Sequence, residues 1–442
     1  MKYLLAVLFL LLFSNHLFSQ DSYEMSLQEC IDYAFENSPS IKNSKLNVDL
    51  ATAQVKETTG VGLPQVALEA NFNDFLEIPT TFLPGEFSGQ PKGTFTPVKF
   101  GQQYSTSVGV NVNQLLFDAS YILSIKGSKV FKELAIIRNE QSEQELITNV
   151  SKAYYSALLT TENLVLLTAN KLRLEKILND TKAYYDNGFV EKLDVDRLQF
   201  EFNKVLVEEK RLVGFAALGY SLLKFQMGMP IEAKLRLTES LTEIKAEKLF
   251  ESEETHSNIQ LKLLDQQIVF QSLQVKNAKY AFLPSLSTFL NTNLNSASDA
   301  FDRPTFQENS YTSTLIGLGF RWNLFNGGSK FARISKSKIE LDQLNNSKDL
   351  LELRIQIQIE QARINYSSNI ELLQLQKKNI ELAKEIFRVE EIKYNEGLGS
   401  NTDLIIAETN LKESSLNYTQ AYFDALIAKL ELENALGTLS NQ

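Results

Sequence analysis

The chain repeats itself once, and this duplication limits its possible folds more than any other feature of the sequence. The segment YYDNGFVEKLDV at 184–195 returns as KYNEGLGSNTDL at 393–404, and LLFD at 115–118 returns as NLFN at 323–326. The copies lie about 209 residues apart, far beyond the period of a solenoid repeat. We therefore infer a duplicated structural unit, whose contents determine the function.

The N-terminus has the pattern of a secretory signal peptide. Lys2 precedes an apolar run at 4–13 that is too short to span a bilayer as a helix, and a more polar stretch reaches Ser19. We expect residues 1–19 to be removed on export. Beyond residue 20, no apolar run approaches the roughly 20 residues that a spanning helix needs. Insertion into a membrane would therefore require a β-barrel.

The inventory of reactive side chains argues against catalysis. The chain holds one cysteine and, outside the signal peptide, one histidine, His256. Ser-His-Asp and Cys-His catalysis and histidine-rich metal sites are nearly excluded, although a site built of carboxylates alone stays possible. A net charge of −10 argues against a nucleic-acid partner. We expect no enzyme activity, no cofactor and no metal.

The first repeat opens with a helical pattern that passes into strands. Ser26 and Glu29 have the form of a capping box, and the apolar residues after them keep helical spacing. This predicts a helix from about 26 to 60. Gly60, Gly62 and Pro64 must end it, because glycine unwinds a helix and proline disfavours helix at the residue before it.

Alternating apolar and polar residues predict one β-hairpin in each repeat, at 63–117 and at 283–325. Each hairpin would hold two strands of about ten residues, apolar on one side and rich in Asn and Ser on the other. The apolar positions are Val66, Leu68, Ala70 and Phe72; Val108, Val110 and Val112; Leu286, Leu290 and Leu294; and Ile316, Leu318, Phe320, Trp322 and Leu324.

Such strands fit either a soluble sheet packed on a core or membrane-crossing strands. The base rate favours the soluble sheet, but the strand length and the aromatic residues Phe75, Tyr104, Phe306 and Tyr311 near the strand ends favour a membrane barrel with an aromatic girdle. We predict that its lipid face carries Val108, Val110, Val112, Ile316, Leu318, Phe320 and Trp322.

A very long proline-free helical pattern follows each hairpin, from about 119 to 186 and from about 329 to 395. The second carries two apolar stripes. One stripe holds Leu351, Ile355, Ile359, Ala362, Tyr366, Ile370, Leu373, Ile380 and Phe387; the other holds Leu353, Ile357, Ile364, Leu375, Leu382 and Ile386. A surface helix needs one stripe only, so two predict neighbours on both sides, as in the wall of a tube.

Glycine turns lead from the long helices to shorter returning helices at about 192–227 and 402–436. The resulting organisation is a signal peptide (1–19), a first repeat (20–228), an acidic linker (229–256) that we expect to be irregular, and a second repeat (257–442). Two hairpins give four strands, which cannot close a barrel. An open edge in lipid would leave backbone groups unpaired, so copies of the chain must share a barrel of eight or twelve strands.

Taken in order and twice over, these motifs resemble the outer membrane efflux protein family. The resemblance covers the mature chain and depends on the LP strand entries at 63–64 and 283–284, the WNLFNGG strand exit at 322–328 and the Tyr-x-x-Gly turns. It implies a mainly α protein with a β-barrel portion: a trimeric 12-stranded outer-membrane barrel on a periplasmic α-helical tunnel. It further implies a homotrimer in outer-membrane lipid that docks to a periplasmic adaptor and, through it, serves an inner-membrane pump.

The same resemblance marks Asp194 and Asp403 as candidate acidic residues of a pore entrance. The alternative is helix N-capping, because Ser400-Asn401-Thr402-Asp403 has the pattern of a helix start. The best known member of that family has a second acid three residues after the position of Asp403 and an arginine four residues before it, where this chain holds Ile406 and Gly399. A gate closed by that salt-bridge network is therefore not expected.

The turns supply a second group of candidate residues. Gly188 and Gly397 fit left-handed backbone positions at helix ends, and the resemblance adds contact with the adaptor at Tyr185, Asn187, Gly188, Tyr394 and Gly397. Tyr185 and Tyr394 would also pack between helices, with a hydroxyl available near the tip. Arg321 would face the lumen or the interface, and Asp118 and Asn326 would cap helices.

The leading hypothesis is a passive exit duct of a tripartite efflux or type I secretion system, in the outer membrane of a Gram-negative bacterium. A soluble periplasmic coiled-coil scaffold is the alternative. The transported cargo does not follow from the sequence, since the pump would select it.

Overall fold

The computed structural model describes residues 22–247, 258–299, 301 and 310–439. The predicted signal peptide, His256 and the predicted girdle residue Phe306 lie outside this range. Within it, helices predominate, and the strands are few.

The first repeat runs from a short strand to a pair of long helices. Its elements are β1 (Ser22–Met25), α1 (Leu27–Asn37), α2 (Pro39–Gly60), β2 (Gln65–Asp74), β3 (Thr80–Pro84), β4 (Phe95–Lys99), β5 (Tyr104–Phe117), α3 (Ala119–Asp186) and α4 (Lys192–Met227).

The linker and the second repeat follow the same order with fewer strands. Their elements are β6 (Lys234–Leu237), α5 (Ile259–Tyr280), β7 (Ser285–Ser298), β8 (Ser310–Arg321), α6 (Ser329–Asn395) and α7 (Asn401–Leu436). The bounds of α3 and α6 agree with the prediction from the sequence.

The opening helix differs from the prediction of one helix over 26–60. Its start is as predicted: the Ser26 hydroxyl accepts from the backbone of Glu29, whose carboxylate accepts from the Ser26 N–H at 2.7 Å. The helix ends at Asn37, however, and α2 begins at Pro39. Ser38 has extended backbone angles because the ring of the following residue, Pro39, disfavours helical backbone angles at Ser38.

The linker contains regular structure, contrary to the expectation. β6 pairs in parallel with β1, from Ser22 opposite Lys234 to Met25 opposite Leu237. Glu239 then accepts hydrogen bonds from the N–H of Leu27, at the start of α1, and from the Tyr154 hydroxyl of α3, at 3.0 and 2.8 Å. These contacts fasten the described part of the linker to the first helix.

The main sheet has four antiparallel strands in the order β2-β5-β7-β8. Residues opposite each other in a ladder share a face, and Leu68 lies opposite Val110, and Leu290 opposite both Val112 and Ile316. The predicted apolar positions of all four strands therefore fall on one face. Arg321 lies on the other face, opposite Ser285.

Two details of the sheet depart from the prediction. β8 ends at Arg321, so Trp322 and Leu324 are not in the strand. The strand ends there because its neighbour β7 begins after Pro284, which has no N–H to continue the ladder. The connection between β2 and β5 holds the unpredicted hairpin β3–β4, in which Phe82 lies opposite Pro97.

Of the two predicted caps of the long helices, one is confirmed and the other is wrong. The Asp118 carboxylate accepts from the N–H of Tyr121 at 2.8 Å, as expected of a cap for α3. Asn326 does not cap α6, since the left-handed residues Gly327 and Gly328 separate it from Ser329, where that helix begins.

The chain divides into two compact units, each drawn from both repeats. The first comprises the described residues of 1–47, 137–263 and 349–442, and its buried core includes Ile41, Tyr154, Leu223, Met227 and Leu426. The second comprises the described residues of 48–136 and 264–348 and contains the four-stranded sheet. Cys30 lies in the first core, where burial raises the pKa of its thiol to about 12, so it is not a nucleophile.

Candidate functional site

The turns after the two long helices are built alike. In the second, the N–H of Gly397 donates to Tyr394 and that of Leu398 to Lys393, at 3.0 and 2.8 Å. Gly397 has φ +71° and Gly188 has φ +80°, and no atom lies within 4 Å of the position where a side chain would begin. Backbone conformation, and not a lack of space, therefore favours glycine at both turns.

An exposed apolar residue follows each of these glycines. Phe189 is 78% exposed and Leu398 is 82% exposed. Neither was identified from the sequence, although they occupy equivalent positions of the repeat. Asn187, beside the first turn, uses its side-chain amide to donate to the Ala183 carbonyl at 2.7 Å, so it closes the end of the helix.

The two predicted tyrosines differ in environment. The hydroxyl of Tyr394 lies 2.7 Å from that of Thr181, and its ring meets Tyr184 edge to face at 6.4 Å. Burial raises the pKa of Tyr394. Tyr394 therefore packs between helices as expected, but its hydroxyl is engaged rather than free. Tyr185 is exposed, and Tyr184 makes the contact instead.

Ser400 caps the start of α7, which leaves the Asp403 carboxylate at the surface. The Ser400 hydroxyl accepts from the N–H of Asp403 at 3.1 Å and lies 2.7 Å from its carboxylate. Asp403 thus stands in the first turn, where a negative charge is favourable, but it does not supply the cap itself.

The structure brings the starts of α4 and α7 together, and with them Asp194 and Asp403. The side-chain amide of Asn401 donates to the carbonyl of Asp194 at 3.0 Å. Arg197 lies 3.3 Å from the Thr402 hydroxyl and 3.9 Å from the Asp194 carboxylate. Arg197 was not identified from the sequence, although its position three residues after Asp194 places the two on one helix face. Asp194 therefore has a partial counter-charge, and Asp403 has none among the described residues.

A buried acid lies five residues beyond Asp403. Glu408 is 1% exposed and accepts from Asn170 at 2.5 Å and from Arg173 at 2.9 Å. The guanidinium of Arg173 stands 5.9 Å from the ring centre of Phe387. Burial raises the pKa of Glu408, although Arg173 and Asn170 act against that shift. The cluster ties α3, α6 and α7 together.

The apolar face of the sheet is open in the single chain. Leu68, Ile316, Leu318 and Phe320 are all more than 60% exposed, and Val110 is also exposed. Val108 and Val112, on the inner strand β5, are partly buried. Such a contiguous apolar surface indicates contact with a partner or a membrane.

Aromatic rings flank this face at both ends of the strands. Phe72 stacks on Tyr104 at 6.0 Å, and Phe301 meets Tyr104 at 5.5 Å, at the end where β2 stops and β5 begins. At the other end, the indole N–H of Trp322 donates to the carbonyl of Phe282 at 3.0 Å. Of the predicted girdle residues, Tyr104 joins this arrangement, whereas Tyr311 pairs with Asn295 on the polar face.

Within the described residues, no helix is both long and apolar enough to cross a membrane.

Comparison with known proteins gives one family. The outer membrane efflux protein family model matches residues 30–211 and 257–438, one match for each repeat. The outer membrane protein TolC of Vibrio cholerae is 22% identical over 423 residues, covering 94% of this chain and 92% of the relative. TolC of Escherichia coli is 20% identical over 467 residues, covering 100% of this chain and 88% of the relative.

Solved structures of similar fold include CusC, with a TM-score of 0.74 at 14% identity over 95% of each chain. The CmeC outer membrane channel of Campylobacter jejuni gives a TM-score of 0.72 at 16% identity, covering 93% of this chain and 85% of that one. At these identities the likeness concerns the fold.

Proposed function

This chain belongs to the outer membrane efflux protein family, and on that premise we propose that three copies of it share one barrel and one tunnel. It is an outer-membrane exit duct for efflux in a Gram-negative bacterium.

The four-stranded sheet carries the proposal. In the described part of the chain, β2 and β8 each pair with one neighbour only, so each end of the sheet has a row of unpaired backbone groups. In lipid these groups would cost several kcal/mol each. Pairing β2 of one copy with β8 of the next removes every edge. Three copies give twelve strands, enough for a lumen lined by the polar face, whereas eight strands would leave the interior filled.

The two stripes of α6 support the same assembly. Ile355, Ile359, Leu373 and other residues of the first stripe are buried within the chain. The residues of the second stripe are 44–67% exposed, namely Leu353, Ile357, Ile364, Leu375, Leu382 and Ile386.

The helix α4 has an exposed apolar series of its own, at Phe200, Val207, Phe215 and Phe225. We infer that α6 of one copy packs against α4 of the next, because each helix has an apolar face that no described residue of its own chain covers. Repeated three times, this contact would close the helical wall.

The entrance would lie where α4 and α7 begin. Three copies of Asp403 and Asp194 in a narrow passage would favour cations, since like charges in a constriction raise the negative potential. Asp403 contributes more in this proposal, because Arg197 partly offsets Asp194.

The glycine turns would form the docking surface for a periplasmic adaptor. Each chain offers two equivalent turns, so a trimer offers six, each bearing an exposed Phe189 or Leu398 beside a glycine. The adaptor would connect the duct to an inner-membrane pump. The duct itself would catalyse no reaction, and the pump would supply the energy and select the cargo.

Light scattering on the detergent-purified protein, combined with fractionation of the cells, tests the proposal. We expect a mass of three chains and recovery in the outer-membrane fraction. A stable monomer, or release with the soluble periplasm, would contradict it.

A further inference from the structure

The segment that joins β8 to α6 exposes apolar side chains beside basic ones. Leu324 and Phe325 are 75% and 87% exposed, and Phe331 in the first turn of α6 is also exposed. This segment directly continues the apolar face that ends at Phe320. Trp322 is exposed in the same segment, and tryptophan at the end of a membrane-facing surface is typical of the interface between lipid tails and headgroups.

Trp322 and Lys330 are held in place by the same neighbour, Phe282. The indole N–H of Trp322 donates to the Phe282 carbonyl at 3.0 Å, and the Phe331 ring lies 5.1 Å from that of Phe282. The Lys330 ammonium stands 5.1 Å from the Phe282 ring centre and 3.4 Å from the Asn323 carbonyl. Lys330 therefore has its charge fixed beside an aromatic cluster rather than free in solution.

The start of α6 has a charge opposite to the one that helix electrostatics favours. Lys330, Arg333, Lys336 and Lys338 fall within its first ten residues, and Glu340 is the first acid. The N-terminus of a helix is already partly positive, so the charges of these residues are unfavourable there. The cluster is basic although the whole chain has a net charge of −10. Lys336 lies 3.8 Å from Glu340, and Arg333 has no ion-pair partner within the residues that the structure describes. An external anion would offset this charge.

We propose that Lys330 and Arg333, with Trp322 and Phe331, bind the phosphate headgroup of an anionic phospholipid in the leaflet at this end of the sheet. This inference rests on the proposed membrane position of the sheet. Lys330 and Arg333 are three residues apart and share a helix face, so both can donate to one phosphate. The acyl chains would lie along Phe325 and the apolar face of β8. The charge of the site selects an anionic lipid over a zwitterionic one.

Trp322 is the chain's only tryptophan, so its fluorescence reports on this site without a label. The purified oligomer is reconstituted with lipids that carry the same brominated, quenching acyl chains on either phosphatidylglycerol or phosphatidylcholine. We expect phosphatidylglycerol to bind beside Trp322 at least fivefold more strongly, since each basic residue at an anionic surface contributes about that factor. Molar salt should abolish most of the preference.

The variant Lys330→Ser with Arg333→Ser should lose the preference and keep its quenching by phosphatidylcholine. Lys377→Ser with Lys378→Ser, an equal change of charge on exposed residues of the same helix, should keep the preference. Equal quenching of the wild type by both lipids, or an unchanged preference in the first variant, would overturn the inference.

A relocated tryptophan separates this inference from the proposed function. Leu318→Trp with Trp322→Phe moves the reporter to the middle of the apolar face. If both lipids quench the relocated tryptophan of that variant but neither quenches Trp322 in the wild type, the sheet is in the membrane and the headgroup site is wrong. If neither lipid quenches the tryptophan at either position, the membrane position itself is wrong.

Discussion

The second stripe of α6 gives a sharp prediction about assembly. We consider Ile357→Ser combined with Ile364→Ser, at positions that are 67% and 58% exposed in the single chain. If the stripe packs against a neighbouring copy, these side chains lose most of that exposure in the trimer. The change should therefore weaken the trimer and leave the fold of the chain nearly intact.

The magnitude follows from the exposed fractions. Complete burial of an isoleucine side chain contributes about 1.5–3 kcal/mol, so the part still exposed in the single chain corresponds to about 1–2 kcal/mol at each position. The double variant should lose about 2–4 kcal/mol at each of three interfaces, or about 6–12 kcal/mol per trimer. Such a loss should be visible as dissociation on dilution.

Light scattering across a dilution series, with circular dichroism on the same samples, measures both effects. The neighbouring exposed change Gln356→Ser is the matched control and should leave the trimer intact. Ile355→Ser with Ile359→Ser, in the buried stripe, should instead unfold the helices, because each buried large-to-small change costs about 2–5 kcal/mol. If the exposed-stripe variant stays trimeric at every concentration, the stripe does not form the interface.

Three further predictions concern the candidate site. Gly397→Leu should preserve trimer yield and membrane insertion, at a backbone cost of roughly 1 kcal/mol, but abolish export and adaptor cross-linking; normal export by a correctly inserted variant would make the turn purely structural. Asp403→Asn should lower cation selectivity in planar-bilayer recordings, whereas Ser400→Ala should cost about 1 kcal/mol of stability and leave selectivity unchanged. If Asp403→Asn instead lowered stability and left selectivity unchanged, Asp403 would be the helix cap. Because burial raises the pKa of Glu408 above its ordinary value of 4.5, its contribution to stability is greatest below that pH and declines as the pH rises towards the folded pKa. The melting temperature, measured at a series of rising pH values, should fall less for Glu408→Gln than for the wild type. An equal fall in both proteins would refute a raised pKa.

The repeat and the local patterns predicted the helices and strands whose formation depends on residues close in sequence. The long helices were found because neither contains proline and both keep helical spacing, and the four strands of the main sheet were found by alternation. The break at Ser38 could also have been predicted from Pro39 alone. The pairing of β1 with β6 had no local signal, because it joins two four-residue strands more than 200 residues apart.

The residues of the candidate site likewise fall into those that the sequence predicted and those that it did not. The glycines and aspartates were found because the two copies align. Asn401 and the Glu408 cluster were missed because their hydrogen-bond partners lie more than 200 residues away in sequence. Their roles depend on the approach of α4 and α3 to α7, which no pattern within one helix encodes. Arg197 was also missed, although its contact with Asp194, three residues before it, is local.

Electron cryomicroscopy of the purified oligomer in lipid nanodiscs tests the central claim most directly. We predict threefold symmetry and a closed barrel of twelve strands, with β2 of each copy hydrogen-bonded to β8 of the next and the apolar face towards lipid. A four-stranded sheet with open edges, another number of copies, or an apolar face buried in protein would contradict the account.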